Sequence, residues 1–236
     1  MAGPSQQDQA YVLHTRRYRE NSLLVEALTR EHGRIGLVAR TPGSGKRRRE
    51  VLQAFRPMLA VWQGRGELYS LTHWEQTTAA PALLGERLLS GLYLNELVIR
   101  LAGRGEGDPR LFDSYATTID LIAHGDALEP VLRAFEVALL EISGYGLEFE
   151  MAVDAECPVT AGTRYVYQLD QGPFLTELRP GGIPVQGETL LALAGRQPLT
   201  PDVLPEAKRL MRAVLAHHLG DRPLHSRSLF GPAESD

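Results

Sequence analysis

Ser22-Leu-Leu-Val-Glu-Ala-Leu-Thr-Arg-Glu-His-Gly-Arg-Ile-Gly-Leu-Val-Ala39 contains two apolar runs, Ser22–Thr29 and Arg34–Ala39, on either side of Glu31-His32-Gly33. Runs of this kind around a short glycine-containing turn predict an antiparallel hairpin. Working outward, Tyr11-Val-Leu-His14 reads as a strand before it. Met58–Trp62 and Glu67–Trp74 read as two strands after it, turning at Gly64-Arg65-Gly66. Five strands with a long connection after the third outline an OB-fold barrel, an architecture that binds single-stranded nucleic acid across its second and third strands. An SH3-like barrel has a similar strand count and stays open as an alternative. Arg49–Phe55, inside the long connection, reads as a short helical turn.

The pattern changes near Pro81. Leu83 to Leu101 is apolar nearly all round, which predicts a helix buried on most sides. Asp108-Pro109 supplies an N-cap and a proline for the first turn of a second helix ending at Gly125. A third helix starts near Pro130 and closes at Gly144, and a last one runs from about Pro205 to Gly220. Between them, Tyr165–Leu169 and Phe174–Leu178 read as a hairpin, with a turn at Pro180-Gly-Gly182. The expectation is an α+β chain: a barrel domain over 1–80, then a mainly helical domain over 81–236 with a small β lobe inserted at about 146–187.

At 236 residues, 43% hydrophobic and 23% charged, the chain is predicted to be globular. No apolar run approaches the length of a membrane span, and Met1–Asp8 lacks a signal-peptide pattern. The single cysteine, Cys157, excludes an internal disulfide. These features predict a soluble intracellular protein. Enzyme chemistry has little support: neither G-x-S-x-G nor H-E-x-x-H occurs. Cys157 reads as a small hydrophobe. Gly103-x-Gly105-x-Gly107 follows a helix and reads as a linker, not a dinucleotide loop. His217 and His218 are adjacent in a helix, so their rings should point apart and not share a metal ion easily.

Charge is distributed unevenly. Residues 1–80 carry 12 Lys and Arg against 7 Asp and Glu, a net +5, while the remainder carries 13 against 22, a net −9. Polyanion binding is therefore expected in the first domain. The densest basic stretch is Ala39-Arg-Thr-Pro-Gly-Ser-Gly-Lys-Arg-Arg-Arg-Glu50, whose Gly and Pro predict a solvated loop. Gly45-Lys46 is not a phosphate-binding loop, because Arg40 and Arg47 stand where a Gly and a Ser or Thr are required. Candidate DNA contacts are Arg16, Arg17, Arg19, Arg34, Arg40, Lys46, Arg47, Arg48, Arg49, Arg56 and Arg65. Tyr18, between two arginines, is a candidate for base stacking, whereas Trp62 and Trp74 read as core. Lys208, Arg209 and Arg212 form a possible second basic patch.

Several stretches together resemble a known family: Tyr11-Val-Leu-His-Thr-Arg-Arg-Tyr-Arg-Glu20, Ser22-Leu-Leu-Val25, Thr29–Ala39, Leu52-Gln-Ala-Phe55, Gly64-Arg-Gly-Glu-Leu68, Leu92-Tyr-Leu-Asn-Glu-Leu97, Arg133-Ala-Phe-Glu-Val-Ala-Leu-Leu140, Gly144-Tyr-Gly146 and Leu224-His-Ser-Arg-Ser-Leu-Phe230. In order and through almost the whole chain, they are similar to the RecO family of bacterial DNA repair proteins. The resemblance implies an N-terminal OB-fold, a helical body and an inserted zinc-ribbon-like lobe. It implies a cytoplasmic, nucleoid-associated recombination mediator that binds single- and double-stranded DNA and anneals complementary strands. Its implied partners are RecR, RecF, RecA and single-stranded DNA-binding protein (SSB), with no cofactor and no catalysis.

The chain departs from the family in the lobe. Many members carry two Cys pairs there; here Cys157 stands alone, with Thr160-Ala-Gly162 where a partner is expected. The expectation is no structural zinc, and a lobe held by Val166, Leu169, Phe174 and Leu175. A receptor for the acidic SSB tail needs an apolar pocket and a cation. Arg133 with Leu132, Phe135, Leu92, Tyr93 and Leu97 is the candidate set. The rival reading pairs Arg133 along its own helix with Glu129 or Glu136. Two other functions remain open: an RNA-binding module of translation, and a protein adaptor with incidental DNA binding.

Overall fold

Five strands near the N-terminus close into a barrel: β1 (Ser5–Arg17), β2 (Ser22–Thr29), β3 (Gly33–Arg40), β4 (Pro57–Gln63) and β5 (Leu68–Gln76), in the order β1-β2-β3-β5-β4. The computed structural model describes residues 5–40, 52–77, 83–125, 127–175, 180–220 and 222–228. Neighbours are antiparallel except β3 and β5, which run parallel with Gly36 opposite Leu68 and Ala39 opposite Leu71. This order and closure are those of the OB-fold. Closure leaves no long sheet edge to pair with another chain.

The barrel interior follows the period-2 pattern of its strands. Val12, Val25, Ala27, Ile35, Leu37, Ala39, Met58, Ala60, Trp62 and Leu71 fill it. The alanines make room for Trp62, 1% exposed, whose indole N–H donates to Gln6 Oε1 at 2.8 Å. Burying each large side chain here is worth about 1.5–3 kcal/mol. The predicted helical turn over Arg49–Phe55 is corrected in its described part. Ala54 bridges to Val12, and Phe55 adopts φ 64 to drive its ring against Gly91 of the first helix.

The body is built from α1 (Glu86–Leu101), α2 (Pro109–His124) and α3 (Leu128–Ile142), joined later by α5 (Leu204–Leu219). Asp108 caps α2 as its sequence predicts, accepting from the Arg110 N–H at 2.9 Å with proline in the first turn. Two small sheets form the lobe: β6 (Met151–Ala152) with β7 (Cys157–Pro158), and β8 (Arg164–Gln168) between β9 (Gly172–Phe174) and β10 (Ile183–Gln186). Val166 and Phe174 are buried in it, Leu169 is half-buried, and Leu175 is exposed, so Leu175 does not help hold the lobe. A short helix, α4 (Gly187–Leu193), and a final turn, α6 (His225–Ser228), complete the described chain. Among the described residues no helix is long and apolar enough to cross a membrane.

Barrel and body share packing. Tyr11 packs its ring on Phe112 and Tyr115, at centroid distances of 5.3 and 5.0 Å. Asn95 donates to the Leu13 carbonyl at 2.8 Å and accepts from the Tyr115 hydroxyl at 2.6 Å. At the β2–β3 turn, Arg30 forms a two-pronged pair with Asp113. There Gly33 lies so close to the linker that a Cβ would meet the Glu106 carbonyl oxygen at 2.2 Å. A Cβ on Gly107 would meet that of Glu31 at 1.9 Å.

Candidate nucleic-acid interface

The β1–β2 end of the barrel projects away from that junction. Along β1, Ala10 to Leu13 are buried, and then His14, Thr15, Arg16 and Arg17 are all exposed. Four consecutive exposed residues mean that both faces of the strand meet solvent there. Arg16 and Arg17 pair across to Leu24 and Leu23 of β2, and as successive strand residues they face opposite sides. Tyr18 N–H donates to Ser22 O at 2.9 Å to close the turn, with Arg19 in the left-handed region at φ 56. The Arg19 guanidinium sits 5.1 Å from the centroid of the Tyr18 ring. Arg40 ends β3 directly opposite Ser22.

Arg16, Arg17, Tyr18, Arg19 and Arg40 are thus brought to one end of the barrel. Arg16, Arg17 and Arg40 have no ion-pair partner among the described residues. An arginine without a carboxylate partner keeps its five donors for a phosphate. Lys46, Arg47, Arg48 and Arg49 lie outside the described residues, in the segment that continues from Arg40. Arg56 is half-buried just before β4. Arg65 is exposed, but in the turn that opens beside Gly36, toward the start of β3 and away from Arg40.

Other candidates are engaged elsewhere. Arg34 is engaged at the junction: its Nη1 meets Glu26 Oε2 at 3.1 Å and its Nε donates to the Ala102 carbonyl at 3.2 Å. Arg104 also pairs with Glu26. In the second patch, Lys208 pairs with Glu129 at 2.6 Å, and Arg209 donates to Pro184 O and Glu206. Arg212 alone of the three is exposed with no ion-pair partner among the described residues.

Arg133 follows the rival reading. It is 4% exposed, with Nη2 on Glu136 Oε1 at 2.5 Å and Nη1 3.6 Å from Glu129 Oε2. Tyr93 donates its hydroxyl to the same Glu136 oxygen. Leu97, Leu132 and Phe135 are buried in the core and Leu92 is half-buried against it. In this arrangement the guanidinium is closed to a peptide carboxylate. The signal was in the sequence: carboxylates at i−4 and i+3 on the same helix face.

A four-ligand zinc site in the lobe does not fit these residues. Residues 146–187 hold one Cys and no His, and Cys157 is half-buried with a free thiol. The two histidines of α5, expected to diverge, converge instead: their ring centroids are 5.1 Å apart, and His217 Nε2 reaches Asp170 Oδ2 at 2.5 Å. The 100° between successive helix positions describes the backbone, and two rotatable bonds bring the imidazoles together at the helix end.

Two family models match the chain. "Recombination protein O N terminal" covers residues 1–80 and "Recombination protein O C terminal" covers residues 84–228. The chain is 48% identical over 224 residues to the DNA repair protein RecO of Alkalilimnicola ehrlichii, covering 94% of this chain and 89% of that one. It is 45% identical to that of Nitrosococcus oceani, covering 93% and 90%. It is 46% identical to that of Halorhodospira halophila, covering 94% of each.

Proposed function

The chain belongs to the recombination protein O (RecO) family, and from that premise we propose that it is a DNA-binding recombination mediator of DNA repair. The observation that carries the reading is the group Arg16, Arg17, Arg19 and Arg40 at the projecting end of the barrel, with Lys46–Arg49 following in sequence. Such a group binds phosphates by releasing condensed counterions, without reading base sequence. Tyr18 adds a flat face on which a base can stack. Because Arg16 and Arg17 face opposite sides of one ribbon, two strands can be held at once with their mutual repulsion reduced. That favours annealing, and it needs no bond-making chemistry.

The helical body carries the protein contacts in this reading: RecR, with RecF, for loading RecA, and the acidic SSB tail. Burial of Arg133 shifts the proposed tail cation to Arg212. The domains divide at about residue 80, so that DNA capture and partner docking lie on separate units.

The test is annealing of complementary oligonucleotides coated with SSB. The native chain should accelerate it, and a variant with Arg16, Arg17, Arg19 and Arg40 replaced by Ala should not. Equal annealing by the variant would remove this end of the barrel from the mechanism. Preference for structured RNA over single-stranded DNA in competition would favour an RNA-binding module instead.

A further inference from the structure

We propose that Asp170, His217 and His218 form a binding site for one divalent transition-metal ion of the zinc class, which latches the lobe to the end of α5. One ligand atom from each residue lies within 4.8 Å of the others. Tetrahedral zinc with bonds of about 2.0–2.2 Å to imidazole and carboxylate sets its ligands about 3.3–3.5 Å apart. Binding therefore opens the His217–Asp170 pair, 2.5 Å apart, by about an ångström and closes the widest pair by up to about 1.5 Å, both within reach of side-chain rotation. The ligand chemistry suits the ion: two imidazoles and one carboxylate favour zinc, nickel or copper over the hard cations, which prefer oxygen.

Three elements hold the group in place. His217 and His218 lie in the last turn of α5, the negative end of the helix dipole, where Arg100 already donates to the Leu219 carbonyl. Asp170 sits in the tight turn between β8 and β9 at φ 64, a left-handed conformation that Asp tolerates better than most residues. Tyr145, just beyond α3, stacks on the His218 ring at 4.4 Å between centroids, which restrains that imidazole. The side chains of Asp170 and His217 are 57% and 41% exposed, so an ion can enter from solvent and water can complete its coordination.

The arrangement explains how a lobe with one Cys and no His could still be fastened by metal. Its single carboxylate ligand comes from its own hairpin turn, and the two nitrogens come from the body. Neither part alone supplies a set that could hold the ion.

The test uses the full chain, stripped with chelator and titrated with zinc chloride in a calorimeter. One ion per chain is expected. Asp170→Asn and His218→Ala should each weaken binding by about tenfold or more, at least the cost of losing a partner behind a ligand. Cobalt should give the visible absorption of a four-coordinate site in the native chain and lose it in both variants. Because the side chains lie at the surface, circular dichroism should show the variants folded. Zinc binding that is equal in the Asp170→Asn/His218→Ala double variant overturns the proposal. So does binding that is lost instead in Cys157→Ser.

Discussion

The arginines at the β1–β2 end of the barrel and Arg133 on α3 are the same side chain in opposite states. Arg16, Arg17 and Arg40 are exposed, with no ion-pair partner among the described residues. Arg133 is buried, with Glu136 and Glu129 on its guanidinium. What separates them is not local basicity but where the carboxylates of the fold end up. In the proposed reading the first group keeps its charge for a partner; the second is held by the carboxylates beside it.

The sharpest way to break this contrast is to remove Glu136. A buried guanidinium left without its main partner costs about 3–5 kcal/mol. Glu136→Ala should lower stability by that amount in urea unfolding, and adding Arg133→Met should recover much of it. A loss under about 1 kcal/mol, the scale of a surface pair, would show that Arg133 is not held as its burial implies.

At the barrel the expected effect is on binding and not on stability. Each phosphate contact to single-stranded DNA contributes about −0.7 to the log–log slope of affinity against salt. Replacing Arg16, Arg17, Arg19 and Arg40 together should flatten the slope by about 2.8 if all four make contact. Thermal unfolding of the same variant should match the native chain.

Arg212 tests whether exposure without a partner predicts availability on the body as well. Arg212→Ala should weaken a peptide with the SSB tail sequence by about 1.5–3 kcal/mol, the scale of a hydrogen bond to a charged group. Affinity for DNA should stay as it was. Unaltered peptide binding, measured by fluorescence anisotropy, would place the receptor away from α5.

The smallest effect concerns a carboxylate that binds backbone in place of a cation. Burial raises the Glu96 pKa, but hydrogen bonds from the Ser226 hydroxyl and the Ser226 and His225 N–H groups outweigh it, leaving it below the ordinary 4.5. A lowered carboxyl pKa stabilises the fold fully above the unfolded value and loses that contribution as pH falls through the folded one. Protection factors for hydrogen exchange at residues 222–228, corrected for the intrinsic rate at each pH, should therefore fall below pH 4.5, and Glu96→Gln should remove that fall.

The sequence made much of this fold readable. The β2–β3 hairpin, the fourth and fifth strands and the capped α2 announce themselves by alternation, helical spacing and turn residues. The first half of β1 did not, because Gln6, Gln7 and Gln9 carry no apolar rhythm although they pair fully with β4. The seven-residue α4 was equally hidden, being short and opening on Gly187. At the candidate site, composition pointed to Arg16, Arg17 and Arg19. It could not show that Glu26, eight residues before Arg34, lies beside it across the hairpin. Nor could it bring Asp170 to His217, which lies 47 residues further along the chain.

The close approach of Gly33 and Gly107 to opposing backbone has a mechanical consequence. No side chain cushions that contact, so the barrel is clamped at one end in the manner of a cantilever, with its arginine-bearing tip overhanging. In the proposed reading, a load applied by DNA at the tip acts on a long arm, and the clamp passes it to the linker and the helices as torque.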